Sequence, residues 1–222
     1  LESFQITIAP GLTLLDPTPP KRQDWNAIIA GLSEGRHGFN PLSYVKVELN
    51  AIRQSLSGVV LLDETFTSKA LQDSVQKKPF PLIHIASHGQ FGSKPEDTFI
   101  VTWDEYLNIR QLQQILQNGL SSSAKNLELL VLSACETATG DPRAPLGLAG
   151  MAVRAGAKST LATLWAVNDG VTAEFMNRFY DNLEADITKA EALRQAQLWL
   201  LQSRRHEHPL YWAPYILIGN WK

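Results

Sequence analysis

Two residues in this chain have the types and placement for covalent chemistry. Cys135 ends the apolar run of LELLVLSACETATG (127–140) and is the only cysteine in 222 residues. His88 follows a second apolar run, PLIHIAS (81–87). A thiol with an ordinary pKa near ~8.5 is only a few per cent thiolate at neutral pH. A neighbouring imidazole can take the thiol proton, and an imidazolium stabilises the thiolate. Acyl transfer through such a pair also needs donors for the oxyanion. The backbone N–H groups of Gly89 and Cys135 are the candidates, because glycine lets the backbone approach a substrate closely. The competing reading is a structural one: a lone cysteine is usually a small buried hydrophobe, and a histidine before glycine often marks a turn.

What favours the chemical reading is the pattern of elements behind both residues. Phe4–Ala9 reads as a first strand and 10–22 as a proline-bearing loop. Tyr44–Leu56 places Val45, Leu49, Ile52 and Leu56 on one helical face. Gly58–Leu62 is a short apolar strand, and Thr67 caps a helix carrying Ala70, Leu71 and Val75. Pro81–Ser87 is a buried-type strand ending at His88-Gly89. Phe99–Trp103 is a small strand, and Asn108 caps a helix with Leu112, Ile115 and Leu116. After a polar linker, Leu127–Ala134 is a strand ending at Cys135, Leu146–Ala155 reads as helix, and Ser159–Val167 is a strand ending at Asn168-Asp169. Helices near Val171–Leu183 and Lys189–Arg205 and a strand near Pro214–Gly219 finish the chain. Strands alternating with helices predict a mostly parallel sheet covered on both faces, an α/β fold. His88 and Cys135 then share one sheet edge, beyond the carboxyl ends of the strands, where sites of such sheets gather.

Bulk properties narrow the function classes. The net charge is -2, with 20 basic and 22 acidic residues and no basic tract, so nothing argues for nucleic acid or an anionic membrane surface. No apolar stretch reaches the ~18–20 residues of a spanning helix. The first residues, LESFQITIAPGLTLL, lack the basic lead-in and cleavage site of a secretory signal. One cysteine forms no internal disulfide, and a reducing cytoplasm is the expected compartment. The expected organisation is a single domain over 1–222. Because the chain starts at Leu1, a longer parent protein is expected.

Other polar residues read more blandly. His84 alternates onto the same strand face as His88 but lies in so apolar a run that it reads as a core histidine. His37-Gly38 sits in a loop, Glu136 could orient the site or cap a helix, and the proline-punctuated 141–145 segment, DPRAP, reads as a surface loop or a place where a zymogen is gated. His206 and His208 lack further ligands, so no metal is expected. A nucleotide-binding α/β domain is disfavoured, because no Gly-rich phosphate loop follows the first strand.

His88 precedes Cys135 by about 50 residues, the separation found in caspases. The segments HIASHGQF, LSACETATG, GLAGMAVRAGAKSTLATLWAVND and HPLYWAPYILIGNW, in this order, resemble the CHAT domain. That family belongs to the caspase-like clan of cysteine peptidases and is often attached to tetratricopeptide repeats. The resemblance implies a caspase–hemoglobinase three-layer α/β sandwich, with His88 as the catalytic histidine and Cys135 as the nucleophile. It also implies a bacterial-type cysteine endopeptidase without a cofactor, acting on a protein or peptide substrate, with a repeat region or regulatory protein as a partner. On that match the N-terminus is truncated, since the matching region starts partway in. The chain departs from the caspase signature in reading Cys135-Glu136-Thr137, without a glycine two residues after the cysteine. The position two before the nucleophile, often Asp in metacaspase-like relatives, is Ser133, expected to line the specificity pocket. Asp169 could receive a basic P1 side chain, or could cap the helix beginning near Gly170 or Val171. A catalytically silent scaffold of the same fold, working through partners, is the rival reading.

Overall fold

The computed structural model describes residues 1–9, 25–78, 80–91, 97–121, 127–133, 136–137, 155–185 and 187–222. The central sheet uses β1 (Asn26–Gly31), β2 (Ser57–Leu62), β3 (Leu82–Ala86), β7 (Leu127–Ser133), β9 (Ala157–Thr163) and β10 (Tyr215–Gly219). Their order is β10-β9-β7-β3-β1-β2, parallel throughout except for the antiparallel β10. A smaller sheet, in the order β6-β5-β4-β8, is built from β4 (Gly89–Phe91), β5 (Phe99–Val101), β6 (Tyr106–Asn108) and β8 (Glu136–Thr137).

Helices cover both faces. Their apolar spacing follows the helical period, and the strands are continuous apolar runs, as expected for a sheet buried on both sides. On one face α2 (Ser68–Lys77) and α3 (Ile109–Ser121) bury Leu71, Val75, Leu112, Ile115 and Leu116 against Ile28, Ile83, Ile85, Leu130 and Leu132. On the other, α1 (Val45–Ser55), α4 (Asp169–Glu184) and α5 (Lys189–Gln202) bury Val45, Leu49, Phe175, Phe179 and Leu193 against Ala27, Ile29, Leu129, Val131 and Leu161. A last short helix, α6 (Pro209–Trp212), leads into β10. The caps agree with the residue types: Thr67 Oγ1 accepts from Ala70 N at 3.0 Å, and Asn108 Oδ1 from Gln111 N at 3.0 Å.

Three sequence expectations are corrected. Phe4–Ala9 forms no strand; among its residues only Ile8 makes a bridge, beside Ile218. The first strand is instead Asn26–Gly31, the sheet's second from the edge, which the sequence reading passed over. The strand expected over Ser159–Val167 is β9, which runs instead from Ala157 to Thr163. The helix expected over 146–155 falls almost wholly outside the described residues. Gly219 shows why β10 ends where it does. Its φ is +100°, and an added Cβ would run into the carbonyl oxygen of Lys158.

Candidate active site

Parity along the strands decides which side chains reach the candidate site. β3 and β7 pair in parallel, with Ala86 opposite Ser133, and the ladder runs one step further through Ser87 N to Ser133 O at 3.2 Å. Both chains then leave the large sheet and enter the small one, where Gln90 of β4 pairs with Glu136 of β8. His88 lies within the first crossing. Cys135 itself lies outside the described residues, bracketed in sequence by Ser133 and Glu136. The same holds for the 141–145 loop.

His88 is held on two sides by the loop that follows β1. Its Nε2 lies 2.7 Å from the carbonyl oxygen of Asn40, and its ring stacks on Phe39 with centroids 4.8 Å apart and planes at 26°. A carbonyl only accepts, so Nε2 carries the ring proton and Nδ1 is the basic nitrogen of the neutral imidazole. The loop is itself pinned. His37 (φ 51°) and Gly38 (φ 87°) turn the chain, Tyr106 Oη donates to His37 O at 2.7 Å, and Arg36 stacks over Trp103 at 3.6 Å. At its start, Asp63 accepts from Ser33 N at 2.7 Å and from Ser33 Oγ. Those donors, with Glu34 N and Lys46, hold the Asp63 carboxyl below its usual range even though burial is the largest single influence and works the other way. Gly89 stands opposite Ile100 of β5, next to the step where Val101 N donates to His88 O at 2.8 Å. In an antiparallel ladder the bonded and non-bonded steps alternate, so the Gly89 N–H faces away from β5, toward the β8 side.

Ser133 is fully buried, and its hydroxyl donates to Glu48 Oε1 at 2.6 Å. Glu48 is the residue the sequence reading missed. It lies on α1 between Val45 and Ile52, on the face that packs against the sheet, and its side chain has no exposed surface. An acid at apolar spacing on an amphipathic helix was the available signal. His84 Nε2 approaches the same Oε1 at 3.1 Å without the alignment of a hydrogen bond. The other ring nitrogen of His84 meets Tyr180 Oη at 3.0 Å. His84 is thus a core histidine, as its setting suggested. Burial, with Glu48 adding to it, pushes the Tyr180 phenol well above its usual range.

Asp169 is the first residue of α4, and the capping role expected of it belongs to Asn168, whose Oδ1 accepts from Val171 N at 3.2 Å. Asp169 reaches across to α1 instead. Its Oδ2 accepts from Tyr44 N at 2.8 Å, and Tyr44 is the N-cap residue of α1 and brings no side-chain cap of its own. Its Oδ1 is buried without a hydrogen-bond partner. Burial raises the Asp169 carboxyl above its usual range; the Tyr44 N–H opposes this, the charge of Glu48 adds to it, and His88 counters. Asp169 is tied through Tyr44 N to the start of the helix that carries Glu48.

His208 caps α6, its Nδ1 accepting from Leu210 N at 3.2 Å, and His206 packs on Tyr211. Among the described residues no group of three or more His, Cys, Asp or Glu is arranged to hold a metal ion, and no helix is long and apolar enough to cross a membrane.

The profile of the CHAT domain family matches residues 1–220. The chain belongs to the CHAT domain family. Among curated proteins this CHAT domain is 30% identical, over 97 residues, to mouse "Tetratricopeptide repeat protein 28". That stretch is 43% of this chain and 4% of the mouse protein. Among solved structures the fold resembles "the Arg specific cysteine proteinase gingipain R (RGPB)", with a TM-score of 0.60 and 12% identity over 98% of this chain and 49% of that one. A complex of the Porphyromonas gingivalis RgpB pro- and mature domains matches with a TM-score of 0.57 and 11% identity, over 89% of this chain and 48% of that one. The chain thus spans about half the length of these structures and a small part of the mouse protein. At such identity the likeness carries the fold: a caspase-like α/β domain with a mostly parallel sheet.

Proposed function

We propose that this CHAT domain is a cysteine endopeptidase working through His88 and Cys135. The observation that supports it best is the state of His88. The Asn40 carbonyl fixes the proton on Nε2 and the Phe39 ring fixes the plane, so Nδ1 is left as a base at the edge where β3 and β7 end. Membership of the CHAT family and the caspase-like fold point to the same chemistry.

In this reading the Cys135 thiol passes its proton to His88 Nδ1, and the thiolate sulfur bonds to the scissile carbonyl carbon. The N–H groups of Gly89 and Cys135 hold the oxyanion. The C–N bond then breaks, the proton goes from His88 to the leaving amine, and a thioester remains. Water attacks the thioester with His88 as base, the C–S bond breaks, and the proton returns to the thiol. Asp169 is the acid that receives a basic P1 side chain, its unpartnered Oδ1 being the accepting atom. Ser133 serves from beneath, through Glu48. The natural substrate is a protein or peptide. A tetratricopeptide-repeat region, attached or separate, is the expected partner, in keeping with the mouse relative's name.

The single thiol gives a direct test. Iodoacetamide alkylation of Cys135 is followed against pH in the native protein and in His88→Ala. Native alkylation should persist well below pH 8, and the substitution should move the profile upward toward an ordinary thiol. A thiol that reacts only on unfolding would overturn the peptidase reading in favour of a scaffold that works through its partners.

A further inference from the structure

The loop that steadies His88 is anchored two strands away. Residues 33–42 leave β1, carry Phe39 and Asn40 to His88, and return toward α1. Leu32 N donates to Ala86 O at 3.0 Å just before the loop, and Leu42 N donates to Ser33 O at 3.0 Å, closing its base. The pairing of β1 with β2 ends at Gly31 and Leu62. Beyond that step a side chain, Asp63, replaces the backbone ladder. Its carboxylate meets both legs of the loop. Oδ1 accepts from Ser33 N at 2.7 Å and from Glu34 N at 3.2 Å, and Oδ2 accepts from Ser33 Oγ at 2.7 Å. On the exit side Lys46 Nζ, in the first turn of α1, stands 3.3 Å from Oδ2.

The backbone of Asp63 is strained. Its φ is +50°, in the left-handed region that costs free energy for a residue with a Cβ. The turn around it is locked: Phe66 N donates to Asp63 O at 2.8 Å, and Thr65 Oγ1 accepts from Leu62 N at 2.8 Å and donates to Leu62 O at 2.9 Å. Asp63 and Ser33 are only 8% and 7% exposed, so water is a poor substitute for the bonds between them. Among the described residues no hydrogen bond or ion pair joins Asp63 to His88. The link between them is the loop, through the Asn40 carbonyl on Nε2 and the Phe39 ring on the imidazole face.

We infer that Asp63 is a positioning residue for His88: by clasping both legs of loop 33–42 it holds Asn40 and Phe39 against the imidazole and so keeps Nδ1 aimed for proton transfer. This rests on the peptidase reading, because only there does the orientation of Nδ1 set how readily the Cys135 thiol becomes a nucleophile. Asp63 takes no part in bond making. Its effect is geometric, and small displacements of a proton acceptor cost rate out of proportion to their size.

The test is iodoacetamide alkylation of Cys135 at about pH 6.5 and about pH 9.5, where the thiol ionises without a base, so the ratio of the two rates isolates the help given by His88. It compares the native protein, Asp63→Gly, Asp63→Asn, His88→Ala and the double variant Asp63→Gly/His88→Ala. Glycine keeps the left-handed backbone and removes the carboxylate, while asparagine keeps the backbone and one acceptor oxygen. Asp63→Gly should lower the ratio of the acid-side rate to the alkaline rate about tenfold, and Asp63→Asn by no more than about threefold. In the His88→Ala background Asp63→Gly should change the ratio by less than about twofold, since its effect passes through the missing ring. A merely structural role would slow both rates alike or would persist without His88, and either result overturns the inference. So does a ratio that His88→Ala lowers and Asp63→Gly does not. A ratio that His88→Ala leaves unchanged overturns the peptidase reading, and the inference falls with it. Should Asp63→Gly not fold, Ser33→Ala removes the Oγ donor and leaves the backbone, and it should lower the ratio only where His88 is present.

Discussion

At the amino end of the parallel strands, Glu128 of β7 meets Lys158 of β9 at 2.8 Å, and Lys189 at the start of α5 lies near them with its Nζ buried and unbonded. At the carboxyl end the buried atoms without a hydrogen bond include two carboxyl oxygens, Glu48 Oε2 and Asp169 Oδ1. Both ends hold buried polar atoms without hydrogen bonds, so an orphaned atom does not by itself mark a site. The surroundings differ. Lys189 is shut in by the chain terminus: Ala190 N donates to Trp221 O and Asn220 N to Lys158 O. It also has an acid within electrostatic reach. Burial brings its ammonium down to about 8, Glu128 pulls the other way and Lys158 adds to the fall. The carboxylates instead border the place where β3 and β7 leave the sheet, beside His88, with no Lys or Arg among the described residues paired to Glu48 or Asp169. One end buries a cation beside an acid; the other buries an acid against a histidine.

Three measurements sharpen or break this contrast, beginning with the largest effect. His84→Leu removes the buried polar ring that lies 3.1 Å from Glu48 Oε1 and leaves that carboxyl against an apolar side chain. We expect a loss of about 3 kcal/mol, read from the urea midpoint at unchanged slope. A loss below ~1 kcal/mol would mean that the charge of Glu48 is met some other way, and the two ends would no longer differ.

Lys189→Met should act in the opposite direction, stabilising by roughly 1–3 kcal/mol at pH 7, since it removes a buried charge that lacks a hydrogen bond. The sign of its pH dependence follows from the shift. The unfolded lysine keeps its proton up to about 10.5 while the folded one releases it at about 8. Between those values the unfolded chain binds more protons, so native stability rises with pH and the advantage of the variant shrinks. An advantage that grew with pH would refute the assignment of a depressed lysine.

The smallest effect is expected at Asn168→Ala. Losing the cap on Val171 N should cost about 1 kcal/mol in thermal or urea unfolding. Because Asp169 is the next residue, the same variant should also slow cleavage after a basic P1 residue. A stability loss with that cleavage unchanged would separate the helix cap from the role proposed for Asp169.

The parallel strands were legible because a strand buried on both faces must be a continuous apolar run, and LIHIA, LELLVLS and the start of LATLW are such runs. The same rule covers AIIAG of β1, whose run is as apolar and as buried as the others. Phe4–Ala9 misled because alternation predicts a strand only where a neighbour offers a full edge, and beside β10 only Ile8 pairs. At Asn168-Asp169, local spacing could not tell which of the two residues caps α4. A cap is decided by one residue's φ and ψ.

The sequence by itself determined the α/β class, the amphipathic faces of α1, α2 and α3, and the arrival of His88 and Cys135 after two core strands. These follow from hydrophobic period and residue type, which are local properties. Only the tertiary structure decided that His88 leans on the backbone carbonyl of Asn40, that Asp169 holds the start of α1, and that Glu48 stands under Ser133. The first uses a main-chain atom that every residue carries, and the others join positions 125 and 85 residues apart. No local pattern encodes such pairings, because they exist only once the sheet order has brought the ends of β1, β3, β7 and β9 to one edge.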